Sequence, residues 1–489
     1  MIDNILLALE MTLTLKVVAA LCAGVVIGYF VGALPGLTSS IGMALLIPFT
    51  FGLDPIAAIV MLVTIYMAAD YAGGIPAILV NAPGQPAAAV TAFDGFPMSK
   101  RGEAGKALNL SIMASAAGAL TSGIFLVVSA QGMASAALAF GPAEYFALAV
   151  LGLSLVGVLS AGSVIKALLG LMFGLVIITI GIDPMDGSER FVFTFMLIDG
   201  IPFLPALIGL FALSEVFVMV ENARQKPPDI ADAPSPRASL GSLWPFRRTV
   251  LRSSIIGYVV GVIPGAGGSI ASLVSYGVAK KASKDSASFG TGNPEGVVAS
   301  EAANNAAVSG ALAPLLSLGV PGSASAAVLI GGLTIQGLQP GPLLFRDSPE
   351  VPYSIFVGLF LGLPIMVLVG LLGVRLWVKI TTIPQPVIAT TVASICMLGA
   401  YAAANDTFEM IVTAVFGVIG YVFRKAGIHP APIVLALVLG DLMESNLRRA
   451  LVMGGDSVMF ILTKPIAIAL LLCALAVLLS PLLSRRVKA

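Results

Sequence analysis

The chain has 489 residues, of which 58% are hydrophobic and only 10% charged, with a mean hydropathy of +1.02 and a formal net charge of +1. A soluble domain carries about 25% charged residues, so a soluble enzyme is excluded, and the near-zero net charge gives no steering toward nucleic acid. Apolar stretches of span length recur to the end, and the ~10-residue alternating segments of a β-barrel are absent.

At ~20 residues per crossing the chain holds about a dozen spans. The expected fold is an all-α polytopic membrane protein. Three blocks follow from charge and proline: an N-terminal transmembrane half at 1–222, a linker at 223–249 and a C-terminal transmembrane half at 250–489. The first break comes early, at GALPGLTSSI (32–41), where Pro35 and Gly36 interrupt an apolar run. Asp54-Pro55 then marks a helix start, a capping residue before a proline at the first helical position. Asp70 follows inside VTIYMAADYAGG, and an intramembrane carboxylate is a functional candidate by default. NAPGQPAAAV (81–90) is the second break, and Lys100, Arg101 and Lys106 after it mark a cytoplasmic loop. IDPMDGSE (182–189) and RDSPE (346–350) lack that basic excess and are expected outside.

The linker region carries Arg224, Lys226, Arg237, Arg247, Arg248 and Arg252, which places it in the cytoplasm. Next comes GVIPGAGGS (261–269), and Lys280, Lys281 and Lys284 follow. About 27 residues separate the two basic groups, too few for two crossings at ~20 each. The expectation is a re-entrant hairpin turning at PGAGG. Non-helical backbone at that depth survives only buried in protein or lining a cavity, so the turn predicts a polar site. Asn293-Pro294 starts another helix, and ASEAANNAAVSG puts Glu301, Asn304, Asn305 and Ser309 on one face. GVPGSASAAV (319–328) is the last break. Glu144, Asp199, Glu215, Asp441 and Glu444 fall near span ends and read as interfacial. The tail SRRVKA reads as cytoplasmic.

These features occur in pairs. Gly32, Pro35, Gly36, Ser40 and Ile41 match Gly261, Pro264, Gly265, Ser269 and Ile270 at an offset of 229 residues. Pro83-Gly84 matches Pro321-Gly322 at 238, and Asp54-Pro55 matches Asn293-Pro294 at 239. The flanking charge differs: the second half starts basic and the first starts MIDN. Corresponding loops therefore face opposite sides, the pattern of two inverted-topology repeats with broken helices and a midplane site.

Catalytic signatures are missing. There is one histidine, His429, and three scattered cysteines, Cys22, Cys396 and Cys473, which offer no zinc ligand set. Neither G-x-S-x-G nor a G-x-x-x-x-G-K-[ST] phosphate loop occurs. The chain reads as no enzyme and no ATPase, with no cofactor, so any energy for transport comes from a gradient or another subunit. A passive channel remains the rival class, without need of paired breaks.

GALPGLTSSIG, YAGGIPAILVNAPGQPAAAVTAFDGFPM, GVIPGAGGSIAS, NPEGVVASEAANNA and LGVPGSASAAVLIGGLTIQGLQPGP together resemble the large permease subunit of tripartite tricarboxylate transporters. The resemblance is weakest in the linker and the C-terminal third. It implies about twelve spans, a small membrane subunit of about four spans, and a periplasmic solute-binding protein that delivers citrate or another carboxylate. It implies uptake driven by Na⁺ or H⁺ in the bacterial inner membrane. A stand-alone cation-coupled organic-anion symporter is the alternative.

A carboxylate can be held by helix N-termini, whose free N–H groups and partial positive charge attract anions. Each break makes one. The substrate candidates are Ser39, Ser40, Asn81, Gly84, Gln85, Gly267, Gly268, Ser269, Gly322 and Ser323, with no lysine or arginine among them. A coupling cation needs oxygen ligands. Asp70, Glu301, Asn304 and Asn305 are the candidates, and no metal beyond a coupling Na⁺ is expected.

Overall fold

A computed structural model describes residues 2–159, 163–183, 185–222 and 240–486. Most of the expected linker, 223–239, and the last residues of the basic tail, 487–489, lie outside the described residues. Helices dominate; the sheet content among the described residues is one antiparallel pair, Gly181–Ile182 with Glu189–Arg190.

The first half contains α1 (Ile2–Thr12), α2 (Leu15–Ala33), α3 (Ser39–Leu46), α4 (Pro55–Ala72), α5 (Gly74–Val80), α6 (Ala88–Lys100), α7 (Ala104–Ala137), α8 (Pro142–Leu159), α9 (Val164–Ile178), α10 (Phe203–Leu207) and α11 (Ser214–Glu221). The second contains α12 (Arg247–Val262), α13 (Gly267–Ala282), α14 (Pro294–Leu318), α15 (Ala324–Ile335), α16 (Pro342–Asp347), α17 (Glu350–Ile380), α18 (Gln385–Ala404), α19 (Thr407–Lys425), α20 (Pro430–Met453) and α21 (Pro465–Arg486). Among the described residues nine segments are long and apolar enough to cross a membrane, counting α4 with α5 and α10 with α11 as single segments. A π-helical turn, Ile208–Leu213, joins α10 to α11.

The breaks are where proline and glycine put them. α2 stops at Ala33, Gly36 adopts φ +93°, and Thr38 caps α3 by accepting from the Ile41 amide at 3.4 Å. α12 stops at Val262, Gly265 adopts φ +79° and α13 starts at Gly267. L-residues with side chains rarely adopt these values, so glycine is needed at both turns. Each broken pair ends beside a helix of the other half. The Gln336 amide, just past α15, donates to the Thr50 carbonyl just past α3 at 3.1 Å. Arg101, just past α6, donates to the carbonyls of Thr291 and Gly292 in the loop after α13.

Packing repeats between the halves. α2 lies along α4, and α12 along α14. A Cβ on Gly28 would sit 2.8 Å from the Ile65 carbonyl oxygen, and one on Gly32 2.2 Å from that of Ala69. A Cβ on Gly257 would sit 2.4 Å from the Ala303 carbonyl oxygen, and one on Gly261 2.5 Å from that of Ala307. Small residues four apart let the backbones touch, the device membrane helices use in place of hydrophobic attraction. The later breaks pack on the earlier ones: Gly84 against the Gly32 carbonyl (2.0 Å for an added Cβ) and Gly322 against that of Gly261 (2.3 Å). Asn81 and Gly319 end their helices in the left-handed region, and the next residue's amide reaches back to Pro76 in one half and Pro314 in the other. Asp54 and Asn293 each cap the amide two residues on.

Candidate functional site

The broken ends converge on one buried polar cluster. Asp70, 9% exposed near the end of α4, accepts a hydrogen bond from the Ser39 hydroxyl at 2.7 Å. Ser39 and Ser40, at the start of α3, lie 2.8 and 2.9 Å from the Ser325 hydroxyl in the first turn of α15. Ser323 caps α15 by accepting from the Ala326 amide, and its hydroxyl also meets the Tyr66 hydroxyl at 2.8 Å. Two helix N-termini, one from each half, thus point at the same place.

α14 supplies the facing wall. The Asn304 side chain donates to the Asp70 carbonyl at 3.1 Å. Among the described residues its own Oδ1 is buried without a partner, and so are both polar side-chain atoms of fully buried Asn305. A buried amide left unpaired costs about 1–3 kcal/mol, so a chain that keeps three such atoms holds groups suited to a guest. The backbone of α13 runs against them: a Cβ on Gly268 would lie 2.4 Å from Asn304 Oδ1 and 3.5 Å from Ala87. Asn305 and Ser309 also border a narrow crevice against Met67, Phe360 and Leu363.

Glu301 lies three residues before Asn304 and is fully buried. Its carboxylate accepts from Thr91 of α6 at 2.7 Å and Ser115 of α7 at 2.8 Å. Gly74 approaches so closely that an added Cβ would be 2.8 Å from Oε1, and the nearby Ser111 hydroxyl has no partner. No ion pair to Asp70 or Glu301 occurs among the described residues. Buried carboxylates without a counter-charge are costly. Hydroxyl, carbonyl and carboxylate oxygens are the donors a hard cation takes. No cluster of three or more His, Cys, Asp or Glu residues able to hold a metal occurs among the described residues.

The structure brings some of the expected substrate residues to this cluster and places others elsewhere. Ser39, Ser40, Gly268 and Ser323 meet as described. Gly84 and Gly322 lie on the Gly32 and Gly261 carbonyls and build the tips, whereas Gln85 donates to the Ala69 carbonyl at 3.4 Å, one residue from Asp70. Gly267 starts α13 at φ +55°, with Ser323 the nearest neighbour to an added Cβ at 3.7 Å. Asn81 is exposed and serves as a left-handed helix end, and Ser269 is exposed in the first turn of α13. Glu215, read as interfacial, differs more. Its carboxylate abuts the Gly36 turn, within 2.8 Å of an added Cβ, and pairs with Arg424. Through Glu215, Arg424 is linked to the first tip, and it gave no signal in sequence because it ends α19 like any basic flank. Glu444 pairs with Arg190 and Arg448. His429 caps α20, with Nδ1 accepting from the Ala431 amide.

Sequence reasoning passed over Tyr66, Thr91, Ser115 and Ser325, since single hydroxyls are ordinary in spans and only their partners give them weight. The internal match does flag Tyr66, which lies 238 residues before Asn304.

A multi-pass α-helical membrane protein with a buried polar cluster between broken helices is a transporter architecture. The model of the tripartite tricarboxylate transporter TctA family matches residues 18–435, and the chain belongs to that family. It is similar to an uncharacterized 52.8 kDa protein of the TAR-I ttuC' 3' region of Agrobacterium vitis, 37% identical over 484 residues, which covers 97% of this chain and 95% of that one. A second Agrobacterium vitis protein, of the TAR-II ttuC' 3' region, is 38% identical over 235 residues, 47% of this chain and 97% of that one. No solved structure matches.

Proposed function

We propose that the chain is the large permease subunit of a binding-protein-dependent secondary transporter in the bacterial inner membrane. It imports a tricarboxylate or related carboxylate using a Na⁺ or H⁺ gradient. Its partners are a small membrane subunit of about four spans and a periplasmic solute-binding protein. The family is one of tripartite transporters, which supports further subunits. The chain is read as two inverted-topology repeats with about twelve spans in all.

The observation that carries this reading is reciprocal. Ser39 of the first half meets Ser325 of the second. Gly268, the counterpart of Ser39 at an offset of 229, lies beside Ala87, the counterpart of Ser325 at an offset of 238. A two-fold relation between halves produces such exchanged contacts. Substrate carboxylates are taken by the first turns of α3 and α13, by Ser39, Ser40, Ser323 and Ser325 and by Asn304. The coupling cation is taken by Asp70, Glu301, Asn304 and Asn305. Net anion charge is met by helix ends and the cation rather than by a lysine or arginine.

The test is accumulation of a labelled tricarboxylate by proteoliposomes holding the permease, its small partner and the binding protein. Accumulation above equilibrium under an imposed Na⁺ or H⁺ gradient, lost when the gradient or the binding protein is withheld, is expected. Uptake that merely equilibrates would identify a passive pore, and full uptake without the binding protein a stand-alone symporter.

A further inference from the structure

Asp94 of α6 lies outside the cluster, is fully buried and has a saturated carboxylate. Oδ1 accepts from three backbone amides, Gly290 and Gly292 at 2.8 Å and Asn293 at 2.7 Å. Oδ2 accepts from the Tyr276 hydroxyl of α13 at 2.8 Å. Convergent backbone N–H groups form an anion-binding nest, and here the anion is a side chain of the opposite half. Gly290 and Gly292 adopt φ +88° and +107°, so the loop is shaped to turn those amides inward. Gly296, in the first turn of α14, fits against Oδ2 with no room for a Cβ. Arg101, at the far end of α6, adds donors to the Thr291 and Gly292 carbonyls at 3.0 and 2.6 Å.

Every partner of Asp94 belongs to the second half. Together these bonds close the end of the molecule that carries Lys100, Arg101, Lys280, Lys281 and Lys284. The same seam runs inward along α6, α13 and α14. Thr91 meets Ser300 and Glu301, and Ser272 donates to the Ser300 carbonyl. The opposite end is built differently. The counterpart of Asp94 at an offset of 238 is Gly332, which packs on the Leu62 side chain. At this pair of counterpart positions one end of the molecule is thus held by a buried carboxylate and its hydrogen bonds, and the other by apolar contact.

We propose that Asp94 is a positioning residue that latches the basic end of the α6–α13–α14 seam, and that opening this latch exposes the seam leading to Glu301. This rests on the transporter reading for its purpose, but its test uses no substrate. Ser272, fully buried in the seam, is changed to Cys in a chain whose Cys22, Cys396 and Cys473 are Ala. A membrane-impermeant maleimide is applied to inside-out vesicles. Asp94→Ala is expected to speed labelling about tenfold, as loss of charge-assisted bonds implies. Arg101→Ala, at a largely exposed side chain, is expected to speed it about threefold. A cysteine at Gly52, exposed at the other end, keeps its rate toward reagent applied to right-side-out vesicles. Unchanged Ser272→Cys labelling in the variants that reach the membrane, or an equal rise at Gly52→Cys, overturns the proposal. If Asp94→Ala fails to reach the membrane, the Arg101→Ala result decides alone.

Discussion

Among the described residues, Asp70 and Glu301 have no arginine or lysine paired with them, and neither polar side-chain atom of Asn305 has a hydrogen-bond partner. Sequence marks all three, because a carboxylate or carboxamide inside a span is costly unless it has work or a partner. It does not reveal that Ser39 reaches Asp70 or that Thr91 and Ser115 reach Glu301, since those contacts span helices far apart in the chain. Asp70→Asn and Asn305→Ala are expected to cut uptake about tenfold or more, by the worth of bonds to a charged or buried group, with membrane abundance unchanged. Normal uptake in both would remove these residues from the site. The tip glycines make a separate prediction. Gly84→Ala and Gly322→Ala force a methyl onto a backbone carbonyl and should each cost about 1–3 kcal/mol, read as a lower melting temperature in detergent. Gly52→Ala, with nothing within 4 Å, should leave it unchanged. Asn81 shows the limit of motif reading: a polar residue near a break can serve as the left-handed end of its own helix.

The breaks were legible as elements because proline and glycine leave few alternatives within an apolar run. Their partners were not. α9 has 15 residues, ~22 Å at the α-helical rise and short of a ~30 Å hydrocarbon core, and the loop after it is tied down by charge rather than by apolar packing. Asp183, 1% exposed, pairs with Arg190 and Arg448, which both also reach Glu444. The Met185 amide first, then the Asp186 amide and the Arg448 guanidinium, hold the Asp183 carboxyl below the usual carboxylate range. Sequence placed Glu444 near a span end and missed this clamp, because Asp183 and Arg448 come from different halves. Arg448→Ala should leave Arg190 as the loop's remaining cation and speed tryptic cleavage after Arg190 about threefold, by the worth of a half-exposed ion pair. An unchanged cleavage rate would show that the β pair alone fixes the loop.

For the whole molecule, the spacing of P-G breaks and capped prolines leads us to propose two related halves. The structure adds that glycine faces, left-handed helix ends and tip contacts recur at the same offsets. The account depends on the broken pair α2–α3 opening from the opposite side of the membrane to α12–α13. Cysteines at Gly52, just past the first pair, and at Ser286, just past the second, test that directly in a chain whose native cysteines are Ala. With a membrane-impermeant reagent, Gly52→Cys is expected to be labelled only from outside and Ser286→Cys only from the cytoplasmic side. Labelling of both from the same side would contradict it.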